Sequence, residues 1–149
     1  AVRVWHQSGQ AHVESLRADY GTLLDAGVQV SAFIEDMASA YAWADVVICR
    51  AGALTVAELA IMGRPALLIP LPHAIDDHQT ANARALSDRG AALILRQADL
   101  SAREVAATLA GYISNPKRLA AMAAAASAAA QPQATARVAD LCEELIRHD

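Results

Sequence analysis

Residues 45–58 read DVVICRAGALTVAE, and the fold follows from the change of character in the middle of that stretch. Val46, Val47, Ile48 and Cys49 form a short continuous apolar run, the pattern of a strand buried on both faces of a parallel sheet. Arg50, Ala51 and Gly52 interrupt it, and the residues from Ala53 to Ala60 are mostly good helix formers. Strand, glycine turn and helix make half of a βαβ unit. A helix that starts at the carboxyl end of a strand presents unpaired backbone N–H groups and a partial charge of ~+0.5 e to whatever lies above the sheet. An anion, above all a phosphate, suits that position. Gly52 has no Cβ and lets backbone and ligand approach closely. Thr55 and Glu58 are three apart and share one helix face.

Upstream, residues 2–5 read as a first strand and 10–25 as an amphipathic helix stopped by Gly27, with Val13, Leu16, Tyr20, Leu23 and Leu24 on its apolar stripe. Residues 28–34 form a second strand, and Asp36 caps a short helix through Trp43. Downstream, the sequence Gly63-Arg64-Pro65 ends the central helix. Residues 66–69 form a fourth strand, again continuously apolar, followed by a stiff loop over 70–75. A helix follows to about Arg89, and 91–95 form a fifth strand. Ser101 and Glu104 compose a capping box, and Asn115-Pro116 opens another helix. A last helix starts at Pro132, with Val138, Leu141, Cys142, Leu145 and Ile146 on an apolar stripe that must lie against something. About five strands and seven helices make an α/β fold: a Rossmann-like open parallel sheet with helices on both faces, in a single domain over residues 1–149.

A chain of 149 residues suffices for such a domain. Its formal net charge of −4 supplies no basic patch, which argues against nucleic acid as a partner. Cys49 and Cys142 read as small buried apolar residues of a reducing compartment, neither a disulfide framework nor a metal pair. The run of small apolar residues over 119–130 is too short to span a bilayer. These features predict a soluble, cytoplasmic chain. The opening residues AVRVWH form a strand at once, without an initiating Met or a leader, so the sequence reads as a domain cut from a longer protein.

In an open parallel sheet, ligands collect outside the carboxyl ends of the strands. The residues at those ends are His6, Gln7 and Ser8; Ile34 and Glu35; Arg50 with Gly52 and Thr55; and the loop from Pro72 to Gln79. Each has a plainer reading as well. Gly52 serves equally as a turn glycine, and Glu58 as a complement to the helix dipole. Asp76 and Asp77 resemble a paired-carboxylate site but suit an N-cap and its neighbour better. His78 and Gln79 offer hydrogen bonds to a polyhydroxylated ligand, or simply start a solvated helix. His6 reads as a satisfied strand-end histidine. There is no GxSxG elbow, P-loop, HExxH or complete GxGxxG, which speaks against a hydrolase of that type and against a dehydrogenase.

The stretch DMASAYAWADVVICRAGALTVAE closely resembles the MurG family of peptidoglycan glycosyltransferases, and the likeness continues through GRPALLIPLPHAIDDHQTANA and the upstream WHQSG, weakening after Ser101. The resemblance implies the C-terminal, donor-binding half of a GT-B-type enzyme that transfers N-acetylglucosamine from UDP-N-acetylglucosamine to lipid I, making lipid II. It implies that Gly52, Ala53, Leu54 and Thr55 cradle the diphosphate and that Glu58 holds the ribose hydroxyls. The backbone at Ile34 would read the uracil edge, and His78 and Gln79 would read the sugar, at a pair of positions where two glutamines also occur. The family's glycine-rich loop and first strand lie upstream of residue 1. So does the acceptor domain, which bears the proposed general base, the lipid I site and the surface that docks on the inner face of the bacterial cell membrane. This chain then holds no catalytic residue, and the inverting displacement needs no cofactor and no essential metal. Two other readings stand beside it: a stand-alone donor-binding subunit of a split transferase, and an epimerase-like user of UDP-sugars.

Overall fold

The computed structural model describes residues 2–72 and 77–147. The chain divides into two compact units, one ending at Ala40 and the other starting at Tyr41.

The first unit is built on two parallel strands, β1 (Val4–Gln7) and β2 (Val28–Ser31), paired in register Val4 to Val28 and Gln7 to Ser31. The expected helix between them is shorter than its apolar stripe suggests. Helix α1 (Val13–Tyr20) stops at Gly21, where φ is +51°, and the chain continues as a 3₁₀ turn over Gly21–Ala26. A left-handed backbone suits glycine and breaks the α-helical ladder six residues before Gly27. Val13 and Val30 are buried, and the indole of Trp5 donates to Ser31 Oγ at 3.0 Å. Helix α2 (Met37–Trp43) carries the chain into the second unit, capped as expected by Asp36, whose Oδ1 accepts the Ser39 N–H at 2.9 Å. The Ser39 hydroxyl and N–H together hold the Asp36 carboxyl below its usual range.

The second unit is a three-stranded parallel sheet in the order β3 (Val47–Cys49), β4 (Ala66–Leu68), β5 (Ala92–Ile94). Helices α3 (Ala53–Ile61), α4 (His78–Ser87), α5 (Ala102–Ser114), α6 (Pro116–Ala128) and α7 (Ala134–Arg147) accompany it. All three residues of β4 are fully buried. Leu67 packs with Tyr112 of α5 and Met122 of α6. Ala66 and Leu68 point to the opposite face by strand alternation and are equally covered. A continuous apolar run buried on both sides is therefore realised in β4, where each leucine contributes roughly 1.5–3 kcal/mol. It is not realised in β3. That strand lies at the edge of its sheet, and Ile48 is 44% exposed.

The five expected strands thus exist, but as a pair and a triplet instead of one sheet. The ladders within each, β1–β2 and β3–β4–β5, are parallel throughout.

The helix starts follow the sequence closely. Ser101 Oγ accepts the Glu104 N–H at 3.2 Å, while its hydroxyl donates to the Glu104 carboxylate at 3.1 Å, a variant of the capping box. Asn115 caps α6, with Pro116 in its first turn. Pro132 lies in a turn ahead of α7 and does not open it. Two expectations for α7 fail. Cys142 is exposed, and Val138, Leu141, Leu145 and Ile146 are all at least 59% exposed, so the stripe lies against nothing among the described residues. No described helix is long and apolar enough to cross a membrane.

Candidate functional site

Helix α3 starts where β3 ends, with Gly52 as its N-cap. The first intrahelical bond runs from the Val56 N–H to the Gly52 carbonyl at 2.9 Å, so the N–H groups of Ala53, Leu54 and Thr55 leave the helix start without intrahelical partners. Leu54 is 80% exposed. Gly52 has φ −64° and ψ 147°, an extended conformation open to any residue, and an added Cβ would meet only Thr55 Oγ1 at 3.6 Å. The fold itself makes no demand for glycine here. What its missing side chain leaves free is the space in front of the helix start.

One turn further along, Glu58 projects to the surface, and its Oε2 accepts the hydroxyl proton of Tyr41 at 2.9 Å. Tyr41 is 5% exposed. Burial, and then the bond to Glu58 and the charge of that carboxylate, push the phenol well above its ordinary range, so it remains a donor at any physiological pH. Thr55 and Glu58 occupy neighbouring turns of the same face, as their spacing predicts.

The turn before Gly52 is anchored from α4. Asn82 Nδ2 donates to the Ala51 carbonyl at 3.1 Å, and Ala51 is fully buried. At the start of α4, His78 is exposed, and Gln79 Oε1 accepts the Leu71 N–H at 2.9 Å, which leaves the NH2 group as the donor end of that amide. Asp77 takes the N-cap position with φ +51° and without a side-chain capping bond, while Asp76 lies outside the described residues. Arg50 is committed elsewhere: its guanidinium reaches the carbonyls of Ile69 and Pro70, at 3.2 and 3.4 Å, and stiffens the exit of β4.

In the first unit, the Ile34 N–H is taken by Gln7 Oε1 at 2.8 Å. The carbonyl is therefore the backbone group of Ile34 left unclaimed by Gln7. The neighbouring Phe33 ring is 71% exposed. His6 is indeed a satisfied strand-end histidine, with Nδ1 3.0 Å from the Tyr20 hydroxyl.

A cleft of about 660 Å³ lies beyond α4, lined by Thr80, Arg84, Ile94, Arg96, Leu100 and Thr108 among others. None of the residues expected to bind ligand lines it. The expected residues of the second unit lie instead in the first turns of α3 and at the start of α4. Sequence reasoning passed over Tyr41 and Asn82. Both stand in the stretches quoted above, but neither lies at a strand end, and only the packing of α2 and α4 brings them to α3 and its turn.

Parallel strands joined by crossover helices, with a helix starting at a strand's carboxyl end, are the features of an open α/β protein of the doubly wound type. The sequence matches the glycosyltransferase family 28 C-terminal domain over residues 1–142, and the chain belongs to that family. It is 51% identical over 98% of its length to the UDP-N-acetylglucosamine--N-acetylmuramyl-(pentapeptide) pyrophosphoryl-undecaprenol N-acetylglucosamine transferase of Nitratidesulfovibrio vulgaris. It is 53% identical over 97% of its length to the transferase of the same name from Azotobacter vinelandii. It spans 40% of the length of each. Among solved structures, MurG of Acinetobacter baumannii superposes with a TM-score of 0.87 at 47% identity, over 96% of this chain and 41% of that one. The fold is therefore that of the corresponding part of a MurG protein. The family match extends past Ser101 to residue 142, so the likeness covers nearly the whole chain.

Proposed function

We propose that this chain is the donor-binding C-terminal domain, over residues 1–149, of an inverting glycosyltransferase. That enzyme moves N-acetylglucosamine from UDP-N-acetylglucosamine to the lipid-linked muramyl pentapeptide, lipid I, and so makes lipid II for peptidoglycan. The observation that carries the proposal is the open helix start at Gly52, with a hydrogen-bonded carboxylate, Glu58, on the same face. The names of relatives about half identical to the chain support the choice of donor and acceptor.

The N–H groups of Ala53, Leu54 and Thr55 take the diphosphate. As the bond to the sugar breaks, negative charge grows on the departing UDP, and these fixed dipoles stabilise it more in the transition state than in the ground state. Glu58 accepts the ribose hydroxyls. Ile34 reads the base through its carbonyl, which suits the N3–H of uracil and not the unprotonated N1 of adenine. Gln79 donates its NH2 group to the sugar, with His78 beside it. The acceptor, the general base and the contact with the inner face of the cell membrane belong to the remainder of the longer protein typified by the relatives. The chemistry needs no cofactor.

Calorimetry tests the reading: UDP and UDP-N-acetylglucosamine bind more tightly than ADP, and equal affinities would refute the nucleotide assignment. Transfer to lipid I by this chain alone is expected to be absent; measurable turnover would show that the base lies within it.

A further inference from the structure

We infer that Tyr41 is a positioning residue for the donor nucleotide: its buried hydroxyl fixes the carboxylate of Glu58 in the orientation that receives the ribose. The inference rests on the ribose reading of Glu58 given above.

Glu58 stands on an exposed helix face, where a free glutamate side chain samples several rotamers. Its carboxylate is held instead at one oxygen. Tyr41 donates to Oε2 at 2.9 Å across 17 residues of sequence, and the ring that delivers this bond is 5% exposed and locked by packing. The donor is thus rigid and the acceptor is the mobile partner, so the bond orders Glu58 and not the reverse. Oε1 has no partner among the described residues, and each carboxylate oxygen has two lone-pair directions. A vicinal diol needs two acceptor positions at a fixed spacing, and a carboxylate pinned at one oxygen offers Oε1 together with the second lone pair of Oε2. Ordering one flexible side chain before the ligand arrives is worth roughly three- to tenfold in affinity. Burial keeps the phenol protonated, so Tyr41 stays a donor at physiological pH. Nothing about Tyr41 requires that it touch the ligand.

A merely structural role for the hydroxyl predicts something different. Removing it would change stability and leave recognition of the ribose hydroxyls alone. The test measures the affinities of UDP and 2′,3′-dideoxy-UDP, by calorimetry, for the full-length protein and its Tyr41→Phe variant, with thermal unfolding of both. The wild type is expected to prefer UDP over the dideoxy analogue at least tenfold. In Tyr41→Phe, UDP affinity falls three- to tenfold and that of the dideoxy analogue stays put, so the ribose preference shrinks. 4-Fluorophenylalanine at position 41, which fills the hydroxyl's volume without its proton, gives the same result and serves should the phenylalanine variant fold poorly. An undiminished ribose preference in both variants, or an equal loss for both ligands, would overturn the role of Tyr41 while leaving the ribose reading intact. A wild type indifferent to the ribose hydroxyls would overturn that reading and the role of Tyr41 with it.

Discussion

Asn82 of α4 donates its side-chain amide to the carbonyl of Ala51, 31 positions earlier, at 3.1 Å, and that carbonyl belongs to a residue with no solvent exposure. The bond fixes the peptide that leads into Gly52, and with it the direction in which the helix start points its N–H groups. Asn82→Ala leaves a buried acceptor unsatisfied, at a cost of about 1–3 kcal/mol in stability. UDP affinity is expected to fall about three- to tenfold as the turn loosens, in line with ~1 kcal/mol for one hydrogen bond. Asn82→Asp should do more harm, because a carboxylate sets a charged acceptor against the carbonyl and offers no donor. Calorimetry with UDP, paired with thermal unfolding, separates the two effects; unaltered affinity in both variants would mean that the turn is held without Asn82.

Glu58 is joined to a buried partner, so its substitutions carry two consequences. Glu58→Ala is expected to weaken uridine nucleotide binding by roughly 1.5–3 kcal/mol, the scale of hydrogen bonds to a charged group. It also strands the hydroxyl of Tyr41, and the melting temperature should fall. Glu58→Gln keeps an acceptor for Tyr41 and loses only the charge, so stability is preserved while affinity drops by less. If binding survives Glu58→Ala unchanged, the residue serves only the helix dipole.

What the sequence discloses here depends on the range of the interactions involved. The turn at Gly52, the cap at Asp36, the Ser101–Glu104 pair and the Asn115-Pro116 start are settled within a few residues, and each is where its local chemistry puts it. The five strands were legible from their apolar runs, but not their division into a pair and a triplet, because no run of residues states which neighbour its edges find. For the same reason Ile48 passed for a buried residue: its apolarity is that of a central strand, its position that of an edge. The α1 stripe continued through Gly21 by periodicity alone, and the positive φ of that glycine overruled it. Cys142 was misjudged with its helix, since an apolar stripe shows that a face wants covering and not that it is covered. Tyr41 and Asn82 escaped notice because their partners lie 17 and 31 residues away.

The two cysteines should differ sharply in reactivity. Burial pushes the Cys49 thiol up to about 11, since a thiolate would lose its hydration there. At pH 8 only about one Cys49 thiol in a thousand is then the reactive thiolate. Cys142 is exposed on α7. Iodoacetamide at pH 8 is expected to alkylate Cys142 and spare Cys49, as read by peptide mass spectrometry. The sign of the pH dependence follows: raising the pH in the folded state increases Cys49 labelling about tenfold per unit up to its elevated pKa. Equal labelling of both at pH 8 would show that β3 opens readily.

The far end of α3 is fixed as firmly as its start. Gly63 follows the helix with φ +60°, and a Cβ there would run into Ser127 Oγ on α6 while approaching the Ala123 carbonyl at 3.5 Å. Gly63→Ala therefore meets two separate penalties, a left-handed backbone at a non-glycine residue and a steric clash with the neighbouring helix. The strain alone costs about 1–3 kcal/mol, and each kcal/mol lowers the melting temperature of a chain of this size by roughly 2–4 °C. Adding Ser127→Ala removes the hydroxyl that the new methyl group strikes. The double variant should then recover the clash and keep the backbone strain, so its melting temperature lies between those of Gly63→Ala and Ser127→Ala. Full recovery would mean that the backbone at 63 relaxes out of the left-handed region. No recovery would mean that α6 shifts to accept the methyl group without help, and that the contact between the end of α3 and Ser127 is looser than its geometry indicates.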